Sequence, residues 1–241
     1  MSDHPVAIIT GASRGIGRTI AQGLALDGYR TLLVGRSRSS LDQVAETIWE
    51  QIRHNDALAP LVVPLDMTQL NSIDRTLGPV LEKLGRVDVL VNNAGQWIGG
   101  TLDIDYRDFE SLLRINLTAQ QAITKTIVPF MPKHGKGHII NVASRAGKVG
   151  FAGDGAYCAS KFALVGFSES LYRELVPLGI KVTALCPGWV NTEMAVEAGA
   201  SMTGQEMIQP EDLLHTVRWL LSLSANTCVK DVVLESRGSI T

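Results

Sequence analysis

The 241-residue chain is short of several features at once, and each shortage closes off a class of function. It carries only 3 cysteines, Cys158, Cys186 and Cys228, an odd number without metal-ligand spacing. That pattern argues against a disulfide framework and for free thiols in a reducing cytoplasm. No apolar run approaches the roughly 20 residues needed to cross a bilayer, so no membrane partner is expected. Neither charge sign dominates: 22 Lys and Arg oppose 24 Asp and Glu, for a net charge of −2 and a pI near 6.2. Nothing in that balance attracts nucleic acid. Internal repeats, low-complexity tracts and linkers are also lacking, and a strand pattern begins within a few residues of Met1. A single domain over residues 1–241 without a signal peptide is therefore expected, with a cytoplasmic location. The histidines, His4, His54, His134, His138 and His215, are scattered near predicted element ends with no serine and carboxylate arranged around them. They are read as surface or loop residues, and no metal site is expected.

What the chain does have is alternation. Apolar runs at Val6–Thr10, Thr31–Val34, Leu61–Pro64, Val87–Val91, His138–Val142, Lys181–Leu185 and Asp231–Leu234 read as strands. Helical patterns fill the intervals, notably over 18–27, Leu41–Arg53, Tyr106–Met131, Gly155–Val176 and Glu211–Leu223. Strand–helix alternation forces parallel pairing, with helices on both faces of the sheet. The expected fold is α/β: a Rossmann-like, doubly wound parallel β-sheet of about seven strands. Such sheets bind ligands beyond the carboxyl ends of the strands, where the strand order reverses. Thr10, Arg36, Asp66, Asn92 and Ser144 all fall just after predicted strands and so gather along one edge.

Two segments carry chemistry. The first strand runs into Gly11-Ala12-Ser13-Arg14-Gly15-Ile16-Gly17 and then a helix. Glycines permit a tight turn and close backbone approach, and a helix N-terminus offers free N–H groups to a phosphate. In Gly155-Ala156-Tyr157-Cys158-Ala159-Ser160-Lys161, Tyr157 and Lys161 stand four residues apart and share one helix face. A phenol of pKa about 10 transfers protons poorly at neutral pH, and a fixed ammonium nearby favours the phenolate. Tyr-x-x-x-Lys pairs also occur on solvated helix faces, so this pair gains meaning from its company. Cys158, beside Tyr157, is read as a small apolar group against the neighbouring helix.

Together, the glycine loop after Thr10, Asn92-Asn93-Ala94-Gly95, Ser144 with Tyr157 and Lys161, and Pro187-Gly188 resemble the short-chain dehydrogenase/reductase family in its single-domain branch. The resemblance runs from about Val6 to Thr192, with the motifs in the family's order and spacing. It implies an NADP(H)-dependent oxidoreductase moving hydride between the nicotinamide and a carbonyl or secondary alcohol, as a ketone, aldehyde or 3-oxoacyl reductase. Ser144 is then expected to hydrogen-bond the substrate oxygen and Tyr157 to pass the proton. Lys161 is expected to bond the nicotinamide ribose and lower the tyrosine pKa. Asn116, unfavourable by propensity inside a helical pattern, would kink its helix and hold a water in the proton path. The resemblance also implies cofactor contacts from Gly11, Ser13, Arg14, Gly15, Ile16, Gly17, Arg36, Asn93, Ala94, Gly95, Tyr157 and Lys161. Pro187, Gly188, Val190 and Thr192 would pack along the nicotinamide, Thr192 holding its carboxamide. Asp66 either contacts the adenine or simply caps the next helix. Asn92 to Gly95 is either that cofactor segment or an ordinary turn.

NADPH is expected over NADH. NAD enzymes of this architecture place an acid at the end of the second strand. Here Gly35 takes that position, and Arg36 offers a fork of donors to a 2′-phosphate. Arg14 stands where basic residues of NADP-preferring relatives reach the same group, whereas Arg38 reads as solvated. A substrate lid is expected over about 193–209, and with Trp97, Phe151 and Trp189 it suggests an uncharged or apolar substrate. The ending Asp231 to Gly238 lacks the Asp-Gly-Gly common in β-ketoacyl-carrier-protein reductases, which questions membership of that subgroup. The resemblance further implies a homotetramer or homodimer through the helices over 106–131 and 155–176 and the last strand. The alternative is a dinucleotide-sensing relative without turnover, although such relatives usually lack the tyrosine or lysine. A sugar-nucleotide epimerase would need a larger C-terminal domain than follows Thr192.

Overall fold

Seven short segments rich in branched side chains become strands: β1 Val6–Thr10, β2 Arg30–Gly35, β3 Leu61–Pro64, β4 Val89–Asn92, β5 Gly137–Val142, β6 Ile180–Pro187 and β7 Asp231–Leu234. The computed structural model describes residues 4–132 and 136–239, so His134 lies outside the described residues. Every neighbouring pair is parallel, in the order β3-β2-β1-β4-β5-β6-β7. The order reverses between β1 and β4, which places the ligand crevice beyond Thr10 and Asn92.

Because side chains alternate along a strand, consecutive residues feed opposite cores. Ile8 and Leu32 pack with Ile73, Leu77 and Leu81 of α3 (Leu70–Leu84) and with Ile123 and Ile127 of α5 (Ala119–Ile127). Ile9 and Leu33, one residue on, pack with Ile20 and Leu24 of α1 (Gly15–Leu26), Leu41 and Ile48 of α2 (Arg38–Gln51), and Leu213 and Val217 of α8 (Pro210–Ser222). Each fully buried Leu or Ile contributes about 1.5–3 kcal/mol. The interval patterns above did not single out α3. Pro79 lies inside it, yet Ile73, Leu77, Leu81 and Leu84 keep the helical spacing and are buried.

The expected single helix over 106–131 is four pieces. α4 (Tyr106–Leu113) passes into a π-turn at Arg114–Thr118, then α5, then a short 3₁₀ turn at Val128–Phe130. The π-turn surrounds Asn116, which is fully buried. α6 (Gly155–Leu175) lies under β5 and β6, where a small-residue cluster of Ala143, Ala184 and Cys186 meets Leu164. A chain of buried side-chain bonds ties these layers together. Asn92 Nδ2 donates to Thr124 Oγ1 and Asn141 Oδ1, both at 2.9 Å, and Asn141 Nδ2 donates to Ser168 Oγ at 2.8 Å.

His138 is a correction. It points into the interior of β5, 5% exposed, not to the surface. Thr183 Oγ1 gives its proton to Val229 O at 2.6 Å, so it accepts from His138 Nε2 at 2.9 Å. That fixes the ring as the neutral Nε2–H form. Burial, helped by the charge of Lys181, lowers its pKa to about 4. In the unfolded chain the same imidazole protonates near its ordinary 6.5. The unfolded state therefore binds the extra proton first, and the stabilising contribution is lost as pH falls from about 6.5 to about 4. Unfolding by urea at a series of pH values should show a loss reaching about 3 kcal/mol from this group. His138→Gln should flatten that limb, and parallel profiles for the two proteins would refute the assignment.

Candidate active site

The crevice is built by close backbone packing. Gly11 (φ 64°) and Gly15 (φ 51°) take left-handed conformations that favour glycine. A Cβ on Gly17 would lie 2.3 Å from Gly11 O and 2.5 Å from Asn93 Nδ2, so the start of α1 rests directly on the loop. Thr10 and Asn93 lock it. Thr10 Oγ1 accepts from Asn93 N at 2.9 Å and Ala94 N at 3.0 Å. Asn93 Nδ2 returns bonds to Thr10 O at 3.0 Å and Gly11 O at 3.2 Å. Two adjoining cavities, of about 200 and 230 Å³, open here and share Ile16, Asn93, Gly95 and Thr192 on their walls.

The cavity at the glycine loop is also lined by Gly11, Ser13, Arg14, Gly15, Ala94 and Arg36. Arg36 makes no ion pair among the described residues, and a Cβ on Gly35 would press on Leu41 Cδ2 at 3.3 Å. Arg14 is engaged: its Nη1 lies 3.2 Å from Glu197 Oε1, at the end of α7 (Glu193–Glu197). Glu193 Oε2 also comes within 3.8 Å of where a Cβ on Gly15 would sit. Asp66 is exposed, its Oδ1 taken by Thr68 N at 3.0 Å and Thr68 Oγ1 at 2.7 Å, a local turn ahead of α3.

Ser144, Tyr157, Lys161, Pro187, Gly188 and Val190 line the second cavity. Ser144 leaves β5 and accepts from Ala146 N at 3.1 Å. The turn it begins packs hard on α6, since a Cβ on Gly147 would be 2.7 Å from Lys161 O. Lys161 is 5% exposed, donates to Val142 O at 3.1 Å, and lies 5.7 Å from the centre of the Tyr157 ring. Asn116 lines neither cavity. Its Oδ1 accepts from Gln96 N at 2.9 Å, and its Nδ2 donates to Gln96 O at 2.9 Å and Ser160 Oγ at 3.0 Å. Ser160 in turn donates to Tyr157 O at 2.7 Å, which ties the π-turn to the tyrosine's own backbone. Thr192 Oγ1 donates to Val190 O at 3.2 Å.

The electrostatics differ from expectation. Burial pushes the Tyr157 phenol up to about 12; a hydrogen bond with Ser144 opposes this, and the charge of Asp154 adds to it. Burial lowers the Lys161 ammonium to about 8. Desolvation thus dominates the phenol, with the Lys161 ammonium 5.7 Å from the ring centre. The result is a protonated phenol over most of the pH range.

Sequence reasoning did not single out Gln96, Arg145 and Asp154, which also line this second cavity. Arg145 follows Ser144, stacks 4.7 Å from the Phe151 ring centre, and bonds Glu235 Oε2 at 2.6 Å. Its adjacency to Ser144 was the only available signal, because the Glu235 partner is 90 positions away. No described helix is long and apolar enough to cross a membrane.

The family model for short chain dehydrogenase matches residues 5–203. An uncharacterized oxidoreductase of Staphylococcus epidermidis is 30% identical over 230 residues, covering 95% of this chain and 96% of that protein. Among solved structures, a β-ketoacyl-ACP reductase from Bacteroides thetaiotaomicron is 48% identical, with 98% of each chain covered and a TM-score of 0.86. The actinorhodin polyketide ketoreductase, solved with NADPH, is 28% identical, covering 98% of this chain and 97% of its own at a TM-score of 0.86.

The contact at Gly17 is directly testable. Gly17→Ala forces a methyl against backbone, an overpacking that costs about 1–3 kcal/mol. Thermal unfolding should register the loss as a lower midpoint. An unchanged midpoint would show that the loop relaxes freely.

Proposed function

The chain belongs to the short-chain dehydrogenase/reductase family, and from that premise we propose that it is an NADP(H)-dependent reductase of ketones, aldehydes or 3-oxoacyl compounds. One observation carries the proposal: Ser144, Tyr157 and Lys161 converge on a cavity that continues into the glycine loop. The cradle fits a dinucleotide. Its glycine contacts leave no room for side chains, the start of α1 faces it, and Arg36 stands beside it where an acid is absent. When bound, the nicotinamide supplies or accepts the hydride.

The chain's own residues do the rest. Gly11, Ser13, Gly15, Ile16 and Gly17 receive the pyrophosphate, and Arg36 and Arg14 receive a 2′-phosphate. Asn93, Ala94 and Gly95, with Pro187, Gly188, Val190 and Thr192, hold the nicotinamide half. Ser144 fixes the carbonyl oxygen. Tyr157, whose phenol burial pushes up to about 12, would give its proton to that oxygen in reduction or remove one in oxidation. Lys161 bonds the ribose, and Asn116, in the π-turn, would hold a water in the proton path. Asp66 remains proposed at the adenine, although Thr68 already holds its carboxylate. The segment 193–209 serves as lid. Trp97, Phe151, Trp189 and Met194 on the cavity wall suit an uncharged, apolar substrate body.

A protein named as a β-ketoacyl-ACP reductase shares 48% of residues, which supports an acyl substrate. Glu235, in the departing C-terminal segment, bonds Arg145 on the cavity wall.

Tyr157→Phe should keep fold and cofactor affinity and lower turnover of accepted carbonyls by roughly 10²–10⁴-fold; a variant within threefold of the parent would assign the proton to another group. Arg36→Ala should raise KM for NADPH at least about tenfold and leave that for NADH unchanged, because a charge-assisted bond is worth about 1.5–3 kcal/mol. Equal losses, or a parent that prefers NADH, would overturn the cofactor assignment.

Assembly is proposed through α4, α5 and α6 and through β7. Phe162 on α6 is 46% exposed while Leu164 is buried, and Tyr106 and Val233 are also exposed. Light scattering at micromolar concentration should give a dimer or tetramer mass. Only the 26.0 kDa monomer would contradict it.

A further inference from the structure

Asp154 stands at the N-cap of α6, where a carboxylate ordinarily accepts from first-turn N–H groups, yet its side chain makes no cap bond. Its Oδ1 accepts instead from Trp97 Nε1 at 3.0 Å. The cap duty has passed to Thr101, whose Oγ1 accepts from Gly155 N at 2.9 Å. The two segments are joined by backbone as well: Gly100 N donates to Gly153 O at 2.5 Å, and Ala156 N donates to Gly100 O at 3.1 Å. Trp97 has little freedom to turn, since its ring lies 3.0 Å from where a Cβ on Gly99 would sit.

Trp97 and Asp154 both line the cavity that holds Ser144 and Tyr157, and Asp154 is its only acidic side chain among the described residues. Around Tyr157 and Lys161 the other titratable groups are Cys158, Cys186 and Arg145. Glu235 neutralises Arg145. Asp154 has only a neutral indole as its hydrogen-bond partner, so its carboxylate is held in no ion pair, and Lys161 is the cation that shares the cavity with it.

We propose that Asp154 is a positioning and selectivity residue of the substrate pocket: its carboxylate, diverted from capping α6, fixes Trp97 as a pocket wall and sets a negative charge against anionic substrates. The same charge disfavours the phenolate of Tyr157, three residues along. The kinetic half of this inference rests on the reductase reading above; the Trp97 half does not.

Three substitutions separate the roles. Asp154→Asn keeps an acceptor for the indole but removes the charge; Asp154→Ser keeps a good helix cap but not that reach; Asp154→Ala keeps neither. Trp97 emission is taken as the difference between each protein with and without Trp97→Phe. It should match the parent in the Asn variant and shift in the Ser and Ala variants. With NADPH, the Asn variant should raise kcat/KM for 4-acetylbenzoate relative to neutral 4-acetylbenzamide at least about fivefold, since a like charge has gone. Its oxidation of the corresponding alcohol with NADP, which rises as the phenol ionises, should move to lower pH. A Ser variant that matches the parent throughout would reduce Asp154 to a helix cap and overturn the inference. So would an Asn variant with the parent's substrate ratio and pH profile. If the parent turns over neither ketone, the reductase reading fails at these substrates. The emission comparison then decides by itself, and parent-like emission in the Ala variant refutes the pairing.

Discussion

The site depends on how closely two pieces of backbone approach at the reversal of strand order. Gly17 lies on Gly11 at a separation that admits no side chain, and the amide of Asn93 bonds both Thr10 and Gly11 from the neighbouring strand's end. This contact converts a parallel sheet into a crevice of definite width. α1 starts where it does because the loop is that tight. The loop is that tight because Thr10 and Asn93 consume each other's polar groups. A softer turn would still bury Ile8 and Ile9, but it would not present a row of N–H groups to one point in space.

Most of the buried polarity around this crevice is paired, Asn92 Oδ1 and Gln120 Oε1 being exceptions. Asn92, Asn141, Thr124 and Ser168 form one bonded series between β4, β5, α5 and α6. Such a series ties its layers together, although the buried Asn92 Oδ1 has no hydrogen-bond partner among the described residues, and an orphaned group of that kind costs about 1–3 kcal/mol. Lys161 is the exception in kind: a buried ammonium with one backbone carbonyl as its hydrogen-bond partner in the structure. Its lowered pKa and the raised pKa of Tyr157 are two results of the same desolvation. Burial thus keeps the proton on the phenol.

Local chemistry was legible in the sequence, and long-range pairing was not. The bounds of β1, β3 and β7 follow from branched residues ended by glycine, proline or charge. The glycine loop and the Tyr157–Lys161 spacing are likewise visible in one dimension. The π-turn was not, because one extra residue per turn leaves the apolar pattern of 106–131 nearly intact; only the buried Asn116 hinted at it. His138 read as peripheral because its partner, Thr183, lies 45 positions on. The spacing places the Lys161 ammonium beside the phenol, as found, but the desolvation that raises the phenol pKa has no signature in the spacing. The pairs Arg14–Glu197 and Arg145–Glu235 join residues 183 and 90 positions apart and carry no local signature.

The Arg14–Glu197 pair joins the glycine loop to the end of α7, with Glu193 close to the same loop. Both partners are more than half exposed, so the pair is worth little and exchanges readily. The contact between α7 and the loop is thus one that added salt weakens.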